Sequence, residues 1–150
     1  MAGETPSQTV GPFLAIGLPW TDGPVADPEG VTIGGLVLDG AGRPIPDALV
    51  ETWQADPPAF ARAATDDDGV WSVCVPAAPF VSLHVFARGL LRHLTTRAYL
   101  GALPEGDPVL GLVPAERRNT LLAERSGDGY RFDIRIQAHP PDVETVFFDV

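Results

Sequence analysis

Three histidines, two tyrosines and ten basic residues, every one an arginine, are the side chains from which this sequence could build reactive chemistry. The histidines are His84, His93 and His139. No two stand at HxH, HxxxH or HExxH spacing, so no metal site is written into a single strand or helical turn. Tyr99 and Tyr130 each lie in strand-like sequence, where a packed aromatic with a satisfied hydroxyl is a simpler reading than a ligand. Asp66, Asp67 and Asp68 precede Gly69. A calcium loop needs alternating ligands and a distant bidentate carboxylate; Asp-Gly is instead a hairpin dipeptide. Cys74 is the single cysteine. It excludes an internal disulfide and a CxxC metal pattern, and between Val73 and Val75 it reads as a small buried hydrophobe. Nucleophile, phosphate-loop and dinucleotide motifs are absent.

The stretch PFVSLHVFARG, residues 79–89, holds the residues hardest to assign to folding alone. Side chains alternate faces along a strand. Val81, Leu83, Val85 and Ala87 make one face pure core, while Phe80, Ser82, His84, Phe86 and Arg88 make the other. His84 is either a hydrogen-bonded, partly buried histidine or part of a site. Arg88 precedes Gly89, which permits a tight turn or a close approach. Its guanidinium suits bidentate carboxylate recognition, and a salt bridge to an internal Asp or Glu is the competing reading. His93 follows Arg92 in a connection and suits either a surface or an interface; His139, before two prolines, reads as a loop residue.

A frame of β-structure must carry these residues. With 150 residues and 45% hydrophobic content, the chain can bury one core. Residues 1–30 read as an extended N-terminal arm, since five prolines and several glycines leave little room for a helix. The arm also carries Phe13, Leu14, Ile16, Leu18 and Trp20, so it is expected to pack on its own domain or on a partner. Residues 31–150 read as a single β-sandwich domain. Strands are expected at 31–39, 47–55, 70–75, 80–88, 94–100, 130–137 and 143–150, with a loop around Pro57 and Pro58. One short helix is expected near 114–125, with Pro114 at its start and Glu116 in its first turn. Short strands separated by frequent turn residues define an all-β sandwich.

The net charge of −10 opposes nucleic acid and anionic membrane. An anion would have to be met by a locally placed arginine. The N-terminal sequence has no signal-peptide pattern and no apolar run is long enough to span a membrane, which makes a cytoplasmic location the expectation.

Several motifs together resemble the intradiol ring-cleaving dioxygenases, and within them the alpha-type chain of the protocatechuate-cleaving enzymes. They are TPSQTVGPF (5–13), GLVLDGAGRPIPDALVETWQAD (35–56), TDDDGVW (65–71), VFARGLLRHLTTRAYL (85–100), DPVLGLVPAERRNTLLAER (107–125) and YRFDIRIQ…ETVFFDV (130–150). The resemblance implies a prealbumin-like β-sandwich. It implies a hetero-oligomer in which Fe(III) is held by two Tyr and two His of a homologous beta chain. Dioxygen would cleave a small aromatic substrate such as protocatechuate between its hydroxyl-bearing carbons, giving 3-carboxy-cis,cis-muconate. The His pair of the metal-binding chains falls here on Phe80 and Ser82, which offer no useful ferric ligand. The family's Tyr-bearing loops are short here, so this chain is expected to hold no metal. By motif, Thr9, Pro12 and Arg88 are expected to line the partner chain's catalytic pocket.

Two other readings carry different expectations. A self-contained homomeric dioxygenase would need a rebuilt iron site from His84, His93, Tyr99 or Tyr130. A transthyretin-like binding module, to which the block 35–53 is similar, would need no partner chain at all.

Overall fold

A computed structural model describes residues 6–9, 11, 13–138, 140 and 143–149 of the chain. Among these described residues nine strands follow one another: β1 (Val31–Leu38), β2 (Leu49–Ala55), β3 (Pro58–Ala64), β4 (Val70–Val75), β5 (Phe80–Phe86), β6 (Leu94–Leu100), β7 (Leu122–Ser126), β8 (Gly129–Arg131) and β9 (Ile134–Arg135). They hydrogen-bond in the order β3-β2-β5-β6-β7-β8-β1-β4, with β9 also on β1. The β6–β7, β1–β8 and β1–β9 pairs are parallel and the others antiparallel. β7 links two layers, β3-β2-β5-β6 and β8-β1-β4. One core lies between them, drawing Val50, Ala61, Leu83 and Ala98 from the first layer and Ile33, Trp71 and Val73 from the second. This is the all-β sandwich the turn-rich sequence specifies.

The alternation in β5 is complete. Val81, Leu83 and Val85 have no exposed surface, while Phe80, Ser82, His84 and Phe86 are half-buried on the other face. Each fully buried Leu or Val contributes about 1.5–3 kcal/mol of transfer free energy, which fixes the register of the strand. The Asp-Gly turn forms as read: the Asp66 carboxylate accepts from Asp68 N and Val70 N, and Gly69 takes φ +74°.

Five local expectations need correction. The arm is not free of helix, because Leu14–Gly17 form one turn, α1. Leu14 is buried, whereas Phe13 and Ile16 are each 76% exposed. Further along, the arm packs on its own domain: the Trp20 ring stacks on Phe60 and Arg62 N donates to Gly23 O at 2.7 Å. Pro57 and Pro58 do not sit in a long loop. Pro58 opens β3 directly after a tight turn. A proline is tolerated there because β3 is an edge strand and Pro58 its first residue.

The helix near 114–125 is a 3-10 helix over Ala115–Leu121, and Leu122–Ser126 extend as β7. A separate turn, α2 (Pro108–Gly111), is capped by the Asp107 carboxylate. The segment 130–137 is not one strand. β8 and β9 keep a common register on β1, but between them Asp133 Oδ1 accepts from Leu36 N at 3.1 Å, so a side chain stands in for the backbone. Gly35 makes this approach possible, since a Cβ there would lie 2.3 Å from Phe132 O. Residues 143–149 form no strand beyond a single bridge, Thr95 to Phe148.

Candidate functional site

Two regions of β5 bear on function: its outward face and its C-terminal end. On the face, antiparallel pairing sets Glu51 opposite Arg62 and His84, and His84 opposite Thr95. Glu51 is buried, and its Oε1 accepts from Arg62 Nε at 2.9 Å. Its Oε2 lies 3.9 Å from His84 Nδ1. The His84 and His93 rings lie 4.7 Å apart. Burial, and then the neighbouring His93, hold the His84 imidazole below its ordinary pKa, against the opposing pull of Glu51. His84 is therefore a packed, neutral-leaning histidine over an already satisfied carboxylate.

The next rungs carry the residues aligned with a metal-binding pair. Ser82 faces Trp53 and Arg97, and Phe80 faces Tyr99. The Arg97 guanidinium lies 3.9 Å from the Phe80 ring centroid, a cation–π contact. Arg97 also donates to Tyr99 Oη at 3.2 Å, and the Tyr99 hydroxyl donates to Asp107 Oδ1 at 3.0 Å. Burial pushes the Tyr99 hydroxyl above its ordinary pKa, so it is held as a phenol rather than a phenolate. Ferric iron needs anionic oxygen or imidazole donors. Here it would meet a phenyl ring, a neutral hydroxyl, a protonated phenol and a guanidinium cation. These residues do not fit the metal. Among the described residues, no three His, Cys, Asp or Glu are placed to hold a metal ion.

The structure brings His84 and His93 together, but neither tyrosine joins them. Tyr99 is opposite Phe80, four residues along the strand from His84, and Tyr130 is on β8 under the Arg125 guanidinium, 5.2 Å away. The four residues of the rebuilt-site reading do not form one cluster.

At the end of β5, Arg88 is 60% exposed, and its Nε lies 2.5 Å from Asp47 Oδ2, whose side chain is only 12% exposed. The contact lacks hydrogen-bond geometry: Asp47 Oδ2 is buried without a hydrogen-bond partner among the described residues. It is an ion pair held by charge, so the internal salt bridge weighed for Arg88 is present. Gly89 turns the chain with φ +88°, and its N–H donates to Thr9 Oγ1 at 2.9 Å. Thr9 is thus hydrogen-bonded to the residue that follows Arg88, which brings the arm to the corner where Arg88 stands. Pro12 and His139 lie outside the described residues. Asp47, Arg97 and Asp107 were not singled out in the sequence. The pairing of β5 with β2 and β6 discloses Asp47 and Arg97, and the Tyr99 hydroxyl discloses Asp107, because no local spacing relates them to Arg88 or Phe80.

No family model matches the chain. A "Protocatechuate 3,4-dioxygenase alpha chain" from Burkholderia cepacia is 39% identical over 195 residues, covering 98% of this chain and 98% of the relative. The alpha chain of the same name from Pseudomonas putida is 37% identical over 196 residues, covering 97% and 96%. The aligned span exceeds the 150 residues of this chain, so the relatives carry additional segments. Among solved structures, hydroxyquinol 1,2-dioxygenase from Pseudomonas putida DLL-E4 superposes with TM-score 0.53 at 17% identity, over 77% of this chain and 59% of that one. Catechol 1,2-dioxygenase from Pseudomonas arvilla C-1 gives 0.50 at 22% identity, over 81% and 58%. The chain therefore spans under two thirds of those structures, and they attest the fold alone.

The sandwich is that of the intradiol dioxygenases. By 37–39% identity over nearly its full length, this chain belongs to the protocatechuate 3,4-dioxygenase alpha-chain family, as an alpha-type subunit of an intradiol dioxygenase.

Proposed function

We propose that this chain is the iron-free alpha subunit of a hetero-oligomer that cleaves protocatechuate with dioxygen to 3-carboxy-cis,cis-muconate. In this reading a homologous beta chain holds the Fe(III) that intradiol dioxygenases use. The nearly end-to-end similarity to two alpha chains, at 37–39% identity, carries it. The donor-poor, arginine-capped face at Phe80 and Ser82 supports it further. What this chain supplies is the corner at Arg88. A guanidinium there addresses an anionic group at short range through directed hydrogen bonds. The Thr9 contact brings residues of the arm to the same corner, with Pro12 three positions further on in the sequence.

Co-expression with a homologous beta-type chain tests the reading. The expected result is a co-purifying complex that consumes protocatechuate and dioxygen in equal amounts, while the alpha chain alone is colourless and binds no stoichiometric iron. A ferric tyrosinate absorption band in the isolated chain, or a soluble monomer that associates with no beta-type chain, overturns it.

A further inference from the structure

Asp47 is a buried carboxylate with one visible duty. It stands two residues before β2, and its Oδ2 accepts no hydrogen bond from any described residue. The cation against it is Arg88, through Nε at 2.5 Å. A buried carboxylate left unpaired is strongly unfavourable, so the pair constrains both side chains. The contact runs through Nε alone, and the Arg88 side chain as a whole is 60% exposed. No hydrogen bond from its terminal amino groups to a described residue is present, in contrast to Arg62, Arg97 and Arg131, which are all hydrogen-bonded. On the following residue, Thr9 holds the Gly89 amide. Arg88 is thus held by charge from the segment before β2, and its neighbour Gly89 is held at the backbone from the arm, with no hydrogen bond from the Arg88 terminal amino groups to a described residue.

From this pairing we propose that Asp47 is a positioning residue, holding Arg88 by charge at its Nε so that the terminal amino groups are left to meet the carboxylate of an aromatic substrate in the neighbouring chain's pocket. The inference rests on the reading of Arg88 given under Proposed function. Its charge logic is specific. Asp47 and Arg88 together are neutral, so the corner gives little long-range attraction in a chain of net charge −10. It recognises a carboxylate by aimed, bidentate donation at contact.

The test uses the assembled alpha–beta enzyme with protocatechuate and with catechol, the same ring without the carboxylate. Asp47→Asn is expected to lower kcat/KM for protocatechuate roughly tenfold or more, as mispositioning of a binding group does, while catechol turnover stays unchanged. Asp47→Glu keeps the charge and is expected to recover part of the loss. In an Arg88→Ala background, Asp47→Asn is expected to cost nothing further, because it acts through the arginine. Thermal unfolding of each complex, together with the iron content, identifies any variant that has merely lost its fold or partner; Asp47→Glu then serves as the working variant. Equal losses on both substrates, or an undiminished loss in the Arg88→Ala background, overturns the proposal. If Arg88→Ala leaves protocatechuate turnover intact, the role of Arg88 itself falls. If Arg88→Ala is harmful and Asp47→Asn is silent, only the positioning role falls.

Discussion

Thr9 Oγ1 accepts a hydrogen bond from Gly89 N at 2.9 Å, joining segments 80 residues apart in the chain. It is the described contact that ties residues 6–9 of the arm to the loop after β5. Thr9→Val keeps the shape and removes the acceptor. Because the Gly89 amide can turn to water, the stability cost is expected to be below about 0.5–1 kcal/mol. Turnover of the assembled enzyme is expected to fall several-fold, since the residue beside Arg88 loses its tether. Steady-state kinetics beside a thermal melt separates the two effects; a large melting shift with unchanged turnover would count against a role at the site.

His84 gives the fold a pH dependence of known sign. Its pKa is held below the ordinary value, first by burial and then by His93, with Glu51 opposing. The surrounding strands contribute Glu51 from β2, Arg62 from β3 through Glu51, and Thr95 from β6. A histidine with a depressed pKa takes up its proton more readily when unfolded. Its contribution to stability is therefore present above the unfolded value of about 6.5 and lost as pH falls toward the folded one. Urea midpoints measured from pH 8 to 5 are expected to drop on the acid side, and His84→Gln is expected to shallow that slope.

The Tyr99–Asp107 contact links β6 to the cap of α2. Asp107 Oδ1 also accepts from Val109 N and Leu110 N at 2.8 and 3.0 Å. Tyr99→Phe removes one donor and leaves the cap intact, so a loss of about 1 kcal/mol is expected. Asp107→Ala also removes the cap, the acceptor of the Tyr99 hydroxyl and the 3.7 Å ion pair with Arg97, so a larger loss is expected. Chemical denaturation of the two variants checks the order.

Gly35 is required by close approach rather than by its dihedral angles. A Cβ would stand 2.3 Å from Phe132 O and 2.9 Å from Asp133 Oδ1. Gly35→Ala is expected to push the 132–133 segment off β1 at a cost of about 1–3 kcal/mol. Gly42→Ala meets nothing within 4 Å, though its φ is +75°. It is expected to bring backbone strain without displacing any neighbour, so hydrogen exchange in β8 should rise only in the Gly35 variant.

The β5 pattern was legible because alternation is a local property. Val81, Leu83 and Val85 must face one way, and the core that receives them fixes which. The Asp66–Gly69 turn was legible for the same reason. β3 was not, because two prolines read as a loop unless the segment is known to be an edge strand. The break in 130–137 was hidden too. Asp133 reads as an outward polar residue, and only the approach of β1 turns its carboxylate into a backbone acceptor.

The sandwich, the family resemblance and the absence of histidine at positions 80 and 82 can be read from residue type and order alone. What surrounds those positions came from packing: Arg97 over Phe80, with a tyrosine held as a phenol. The structure likewise decided that Arg88 leans on Asp47 and that Thr9 reaches Gly89. These contacts join residues from different strands and from the arm. Their partners follow from strand order and register, which are settled by burial of the whole core rather than by any local spacing.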